Sequence, residues 1–162
     1  MTGADRIAQA LFESGVRLAF VFPGGTVSRL LAAMQAVGIR LIVCVNEAAA
    51  GHAAQGYFRA CGRLGVVVVT SGPGVTNALT PLADAYYDGD QVLFLCGQVA
   101  TDQMGRGTRQ DGFQWTPTVR LCQSISLVAV EPNDAPWRAV REVIPLLTGG
   151  PGVVSIPADL LR

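Results

Sequence analysis

The sequence predicts a doubly wound α/β fold: a six-stranded parallel sheet with helices on both faces, formed by residues 1–162 as one domain. Three observations lead there. Six short apolar runs alternate with stretches of helical period. The runs are continuously apolar, the mark of strands buried on both faces. Five of them are followed by glycine, proline or a small polar residue, where a strand turns into the next element.

Each element follows from its own residues. Ile7, Ala8, Ala10, Leu11 and Phe12 give residues 4–14 one apolar face, so a helix is expected there, stopped by Gly15. Residues 18–22 are a strand, broken by Pro23-Gly24-Gly25. Thr26 is placed to cap a helix over 26–38 with Val27, Leu30, Leu31 and Met34 on one side. Residues 39–45 make the second strand, followed by a helix of small residues over 47–61 that Gly62 closes. The β-branched run 65–69 is the third strand. A turn over 70–74 leads into a helix over 75–87, with Asp88-Gly89-Asp90 as its closing turn, and residues 91–96 form the fourth strand. Residues 97–118 show no period and read as a long loop, of a length that is usually functional or disordered. A fifth strand is expected at 124–130. A helix comes next over 134–147 with Pro136 in its first turn, then a sixth strand at 153–156.

Half of the residues are hydrophobic and only 15% are charged, below the typical quarter or so. A sizeable core follows, and a buried interface with it. Twelve basic residues balance twelve acidic ones, which favours neither nucleic acid nor an anionic membrane. All the basic residues are arginine, so no lysine is present to form a Schiff base. Cys44, Cys61, Cys96 and Cys122 lack CxxC spacing; Cys44 and Cys96 lie in apolar runs and read as small core residues. A reducing, cytoplasmic setting is expected, for the first residues have no signal-peptide pattern and no apolar stretch reaches membrane-spanning length.

In a doubly wound sheet, ligands bind beyond the carboxyl ends of the strands. Phe22-Pro23-Gly24-Gly25, Asn46-Glu47, Thr70-Ser71-Gly72-Pro73-Gly74 and Gly97-Gln98 fall at those ends and should share one rim. Glu47 has two readings: an acid in the first turn of a helix, favoured by the helix dipole, or a carboxylate in an apolar setting suited to sharing a proton with a ligand. Phe22-Pro23-Gly24-Gly25 is either a tight turn or a place where a planar ligand meets bare backbone. Thr70 to Gly74 opens a helix whose free N–H groups suit an acceptor, but no Walker lysine is present after it. The single histidine, His52, reads as a helix-surface or packing residue. No cluster has metal-ligand spacing, so no metal site is expected in this chain.

These residues together resemble a known family. Asn46-Glu47-Ala48-Ala49-Ala50-Gly51-His52-Ala53-Ala54-Gln55-Gly56-Tyr57, the strand 65–69 with Thr70, and Ser71-Gly72-Pro73-Gly74-Val75-Thr76-Asn77 are similar to the pyrimidine-binding domain of thiamine-diphosphate enzymes, above all the acetolactate synthase group and benzaldehyde lyase. Phe22-Pro23-Gly24-Gly25, Ala83-Asp84-Ala85-Tyr86, Gly97-Gln98-Val99 and Gln110-Asp111 extend the match in order along the chain.

The resemblance implies that Glu47 is the glutamate that bonds a ring nitrogen of the cofactor's aminopyrimidine. It implies that Phe22, Pro23, Gly24, Gly25, Thr70, Pro73 and Asn77 lie against that ring, and that Gln110 reaches the substrate. The activity implied is decarboxylation of a small 2-oxo acid and transfer of the acyl unit to an acceptor carbonyl, with simple 2-oxo acid decarboxylation or a non-catalytic assembly role as alternatives. Two residues depart from the synthase pattern: Asn46 stands where histidine is usual, and Arg109 where phenylalanine is usual. The Gly-Asp-Gly and downstream Asn that hold Mg²⁺ and the diphosphate in the family do not occur; Asp88-Gly89-Asp90 has the wrong order. The expectation is a stand-alone subunit whose thiamine diphosphate and Mg²⁺ are completed by a diphosphate-binding partner subunit, as a 2+2 heterotetramer.

Overall fold

The computed structural model describes residues 1–108, 110–111, 127–129 and 135–162. Strands β1 (Leu18–Val21), β2 (Arg40–Val43), β3 (Gly65–Val69), β4 (Val92–Gln98) and β6 (Gly152–Pro157) run parallel in the order β2-β1-β3-β4-β6. A three-residue segment, β5 (Leu127–Ala129), pairs in parallel with Val153 to Ser155 beyond β6. Of the strand expected at 124–130, only these three residues lie within the described ones.

The uninterrupted valines of β3 are explained by its two neighbouring layers. Val66 and Val68 join Leu93, Leu95, Val154 and Ile156 in a core beneath α1 (Gly3–Glu13), α2 (Ser28–Ala36) and α6 (Pro136–Val143). Val67 and Val69 join Phe94, Cys96 and Val153 in a second core beneath α3 (Glu47–Cys61), α4 (Pro73–Asn77) and α5 (Leu79–Asp88). Successive side chains of a strand point to opposite faces, and here both faces are covered.

Several boundaries differ from the sequence reading, each for a local reason. The second strand stops at Val43, and it is the edge of the sheet; Val43 and Val45 are 66% and 84% exposed. The strand leading to Glu47 is therefore not buried on both faces, and Cys44 is half-buried, whereas Cys96 is a core residue. Cys122 lies outside the described residues. The helix expected at 75–87 is two helices meeting at Ala78. Pro81 has no N–H for the carbonyl of Asn77, so one continuous helix would lack that bond and crowd the proline ring. Gly97 and Gln98 are not loop: they extend β4 by pairing with Ile156 and Pro157. Thr101–Gln103 then forms a 3₁₀ turn. The helix expected at 134–147 is α6 with Pro136 at its start, continued by a 3₁₀ turn from Ile144 to Leu146, where Pro145 removes a donor. Asp134 lies outside the described residues. Thr26 does not cap α2, whose N-cap, Val27, makes no side-chain bond; its hydroxyl is engaged elsewhere, on the rim.

Candidate active-site rim

Asn46 and Glu47 divide the two tasks that the sequence left open. Asn46 caps α3, its Oδ1 accepting the Ala49 N–H at 2.7 Å. Glu47, first residue of the helix, is turned inward and 5% exposed. Its Oε2 accepts a hydrogen bond from Asn77 Nδ2 at 3.0 Å, across from the last residue of α4. Among the described residues no arginine or histidine forms an ion pair with it. Among the described residues Asn77 is the donor that meets this buried carboxylate, and a buried carboxylate met by a neutral donor is costly to keep. The dipole of α3 offsets only part of that cost. Asn46 makes the N-cap bond and Glu47 stands in the first turn, where the dipole favours an acid, but its inward, buried setting goes beyond what that role requires.

Around this pair the strand ends converge. Thr70, at the end of β3, is held between two glycines. A Cβ on Gly24 would stand 2.4 Å from Thr70 Cβ, and one on Gly74 would stand 2.8 Å from Thr70 Cγ2 and 3.4 Å from Glu47 Oε1. Both positions need glycine for the close approach of Thr70, and Gly74 lies against the carboxylate as well. Thr26 Oγ1 lies 2.9 Å from Thr70 Oγ1 and accepts the Ser71 N–H at 3.2 Å. Phe22 is half-buried, its N–H donating to Val68 O at 3.2 Å. Pro23, Gly25 and Pro73 are exposed, Pro73 at the start of α4.

The structure thus brings Glu47, Asn77, Gly74, Thr70 and Gly24 together. Gln110 is not among them. It stands exposed in a turn whose Asp111 N–H donates to Thr108 O, and it takes no part in the bonds that hold Glu47. Arg109 lies outside the described residues. His52 is exposed on α3, with Nδ1 3.0 Å from Gln55 Oε1 and 3.6 Å from Asp84 Oδ2, the helix-surface role expected of it. Among the described residues no group of three or more His, Cys, Asp or Glu side chains is placed to hold a metal ion, and no helix is long and apolar enough to cross a membrane.

Sequence reasoning missed two arrangements. One is the Thr26–Thr70–Ser71 bonding, whose members lie 44 and 45 residues apart. The other is buried Asp90, which accepts from Arg59 Nε and a second guanidinium nitrogen and from Gln55 Nε2. These bonds drive the Arg59 guanidinium pKa upward, through Asp90 first and Asp88 second. Gly89 does end α5 in a left-handed turn, as Asp88-Gly89-Asp90 suggested, but nothing local marked Asp90 as the anchor of α3.

The family model for the thiamine pyrophosphate enzyme N-terminal TPP-binding domain matches residues 1–118. The acetolactate synthase isozyme 3 large subunit of Escherichia coli (strain K12) is 37% identical, the match covering 100% of this chain and 29% of that protein. The acetolactate synthase large subunit of Lactococcus lactis subsp. lactis is 41% identical over 98% of this chain and 28% of its own length. The mitochondrial acetolactate synthase of Schizosaccharomyces pombe is 36% identical over 98% of this chain and 24% of its own. The chain spans less than a third of the length of these curated relatives.

Proposed function

The chain belongs to the thiamine pyrophosphate enzymes, matching their N-terminal TPP-binding domain, and on that premise we propose that it is the pyrimidine-binding half of an acetolactate synthase-like carboligase. The observation that carries this reading is buried Glu47, held by Asn77 and backed by Gly74 at the strand-end rim. The residues fit the cofactor's aminopyrimidine on their own chemistry. Glu47 offers a carboxylate that can take a proton from, or return it to, a ring nitrogen. Gly25, exposed and with open space where a Cβ would stand, leaves backbone that a planar ring can approach, and Phe22, Pro23, Gly24, Thr70, Pro73 and Asn77 surround the same ends of β1 and β3. Thiamine diphosphate, when bound, supplies a carbon nucleophile that doubles as an electron sink. This chain's part is to orient the pyrimidine and hold a proton at Glu47, while Gln110 faces the substrate from the turn after β4.

The substrate class is a small 2-oxo acid, decarboxylated before its acyl unit passes to an acceptor carbonyl. The names of the relatives favour ligation over simple decarboxylation. No Gly-Asp-Gly occurs in residues 1–162, so we place Mg²⁺ and the diphosphate outside these residues, and our reading puts them on a diphosphate-binding partner subunit in a 2+2 assembly. Residues 1–162 act as one domain in this reading, with β5 completing a sixth strand.

The test is co-expression with a chain that carries Gly-Asp-Gly and a downstream Asn, then product analysis from a 2-oxo acid with and without an acceptor. A ligated product that needs both chains is expected. Free aldehyde unaffected by acceptor would replace this reading with a two-component decarboxylase. Absence of any thiamine diphosphate-dependent turnover with every such partner would overturn it.

A further inference from the structure

We propose that Thr26 is a positioning residue: its hydroxyl latches the turn after β1 to the turn after β3, and so sets where Asn77 meets Glu47. Any consequence for the cofactor rests on the function proposed above; the latch itself does not.

Thr26 Oγ1 is fixed from three sides. It accepts the Ser71 N–H at 3.2 Å and shares a hydrogen with Thr70 Oγ1 at 2.9 Å. It also sits directly over Gly97 of β4, where a Cβ would come within 2.1 Å of it. Ser71 is held through its main chain, while its own hydroxyl is wholly buried with no partner among the described residues. Beyond Ser71 the chain enters α4, a helix of five residues whose N-cap, Gly72, supplies no side-chain cap. So short a helix takes its position from its contacts more than from its own hydrogen bonds.

The chain of contacts runs on from there. Thr70 presents Oγ1 to Thr26 and Cγ2 to Gly74, and Gly74 backs onto Glu47 Oε1. A shift of Thr70 therefore reaches α4, and with it Asn77, the residue that donates to Glu47. Valine has the shape of threonine but can neither accept from Ser71 nor share a hydrogen with Thr70. Serine keeps both abilities.

The test uses the full chain without cofactor, in Thr26→Val, Thr26→Ala and Thr26→Ser forms. Heteronuclear NMR reads amide exchange at Ser71, exchange at Val67 in the sheet centre, and the side-chain amide signals of Asn77. Loss of the latch is expected to speed exchange at Ser71 roughly 10-fold in the Val and Ala forms. It should also move the Asn77 signals and leave Val67 unchanged, with the Ser form matching wild type. Either of Val or Ala suffices if the other does not fold. Unchanged exchange at Ser71, or faster exchange there with Asn77 unmoved, would overturn the proposal. So would equal acceleration at Val67, the sign of general loosening, or failure of serine to rescue. If wild-type protein binds no thiamine diphosphate in any assembly, the proposed function falls, while these spectra still decide the latch.

Discussion

Replacing Asn77 by alanine isolates what the Glu47 carboxylate costs the fold. Asn77 is exposed, so truncating it opens no core cavity; any loss comes through its 3.0 Å bond to a carboxylate that is 5% exposed. Hydrogen bonds to charged groups contribute about 1.5–3 kcal/mol, and the half-buried setting of this one puts it near 1.5. Glu47→Gln should act in the opposite direction, raising stability by about 1 kcal/mol, because it removes a buried charge that one neutral donor does not offset. In the Glu47→Gln background, Asn77→Ala should then cost only a few tenths of a kcal/mol. Urea unfolding of the four proteins completes the cycle. With a slope of about 2 kcal/mol/M, the single Asn77→Ala change moves the midpoint down by about 0.7 M. A coupling below about 0.3 kcal/mol, or a Glu47→Gln protein less stable than wild type, would refute the reasoning that this carboxylate is held at the expense of stability.

Single contacts carry the other predictions. Gly24→Ala puts a Cβ 2.4 Å from Thr70 Cβ, so thermal unfolding should show a loss of about 1–3 kcal/mol. Asp90→Ala leaves buried Gln55 without its acceptor, while Arg59 is 53% exposed and keeps Asp88, and should cost about 1–3 kcal/mol. Asp88→Ala removes a pair whose members are 53% and 57% exposed and should cost under about 1 kcal/mol; equal losses in the two variants would contradict the burial argument. For Asp159, burial pushes the carboxyl pKa up, but hydrogen bonds from the Thr101 hydroxyl and N–H outweigh it and bring the value below the ordinary 3.8. A depressed native value means that the stabilisation is present above pH 3.8 and is lost as pH falls through the native value. Acid titration should therefore release the Thr101 amide in wild type, and Asp159→Asn should flatten that part of the stability curve.

The strand-and-helix alternation was legible because burial on both faces writes itself as unbroken valine and leucine, as in β3 and β4. The long α3 was legible from end to end, since Glu47 opens it and Gly62 closes it with positive φ. What sequence misjudged was edge and junction. Ile42, Val43 and Val45 look like a buried strand, yet β2 has one neighbour, and a run of apolar letters does not record position in a sheet. Thr26 looked like a cap because threonine before a helix often is one. Its hydroxyl instead bonds 44 residues away to Thr70, a pairing that only the parallel register of β1 and β3 creates. Gly97 and Gln98 read as loop because glycine weakens a strand pattern, while pairing with β6 extends it. Of the candidate site, the motifs that hold Glu47, Thr70 and Asn77 were legible at the strand ends, and the structure links Asn77 to Glu47 directly and Thr70 to it through Gly74; their part toward a cofactor, and that of Gln110 toward a substrate, stand as proposals.

The most direct test of the central claim is hydrogen–deuterium exchange at C2 of the thiazolium ring of thiamine diphosphate, followed by NMR in the assembled enzyme, with Glu47 and with Glu47→Gln. If Glu47 shares its proton with the pyrimidine, the substitution should slow that exchange at least about 100-fold while the cofactor stays bound. Exchange within twofold of wild type would remove Glu47 from the chemistry and leave it a buried carboxylate without a task.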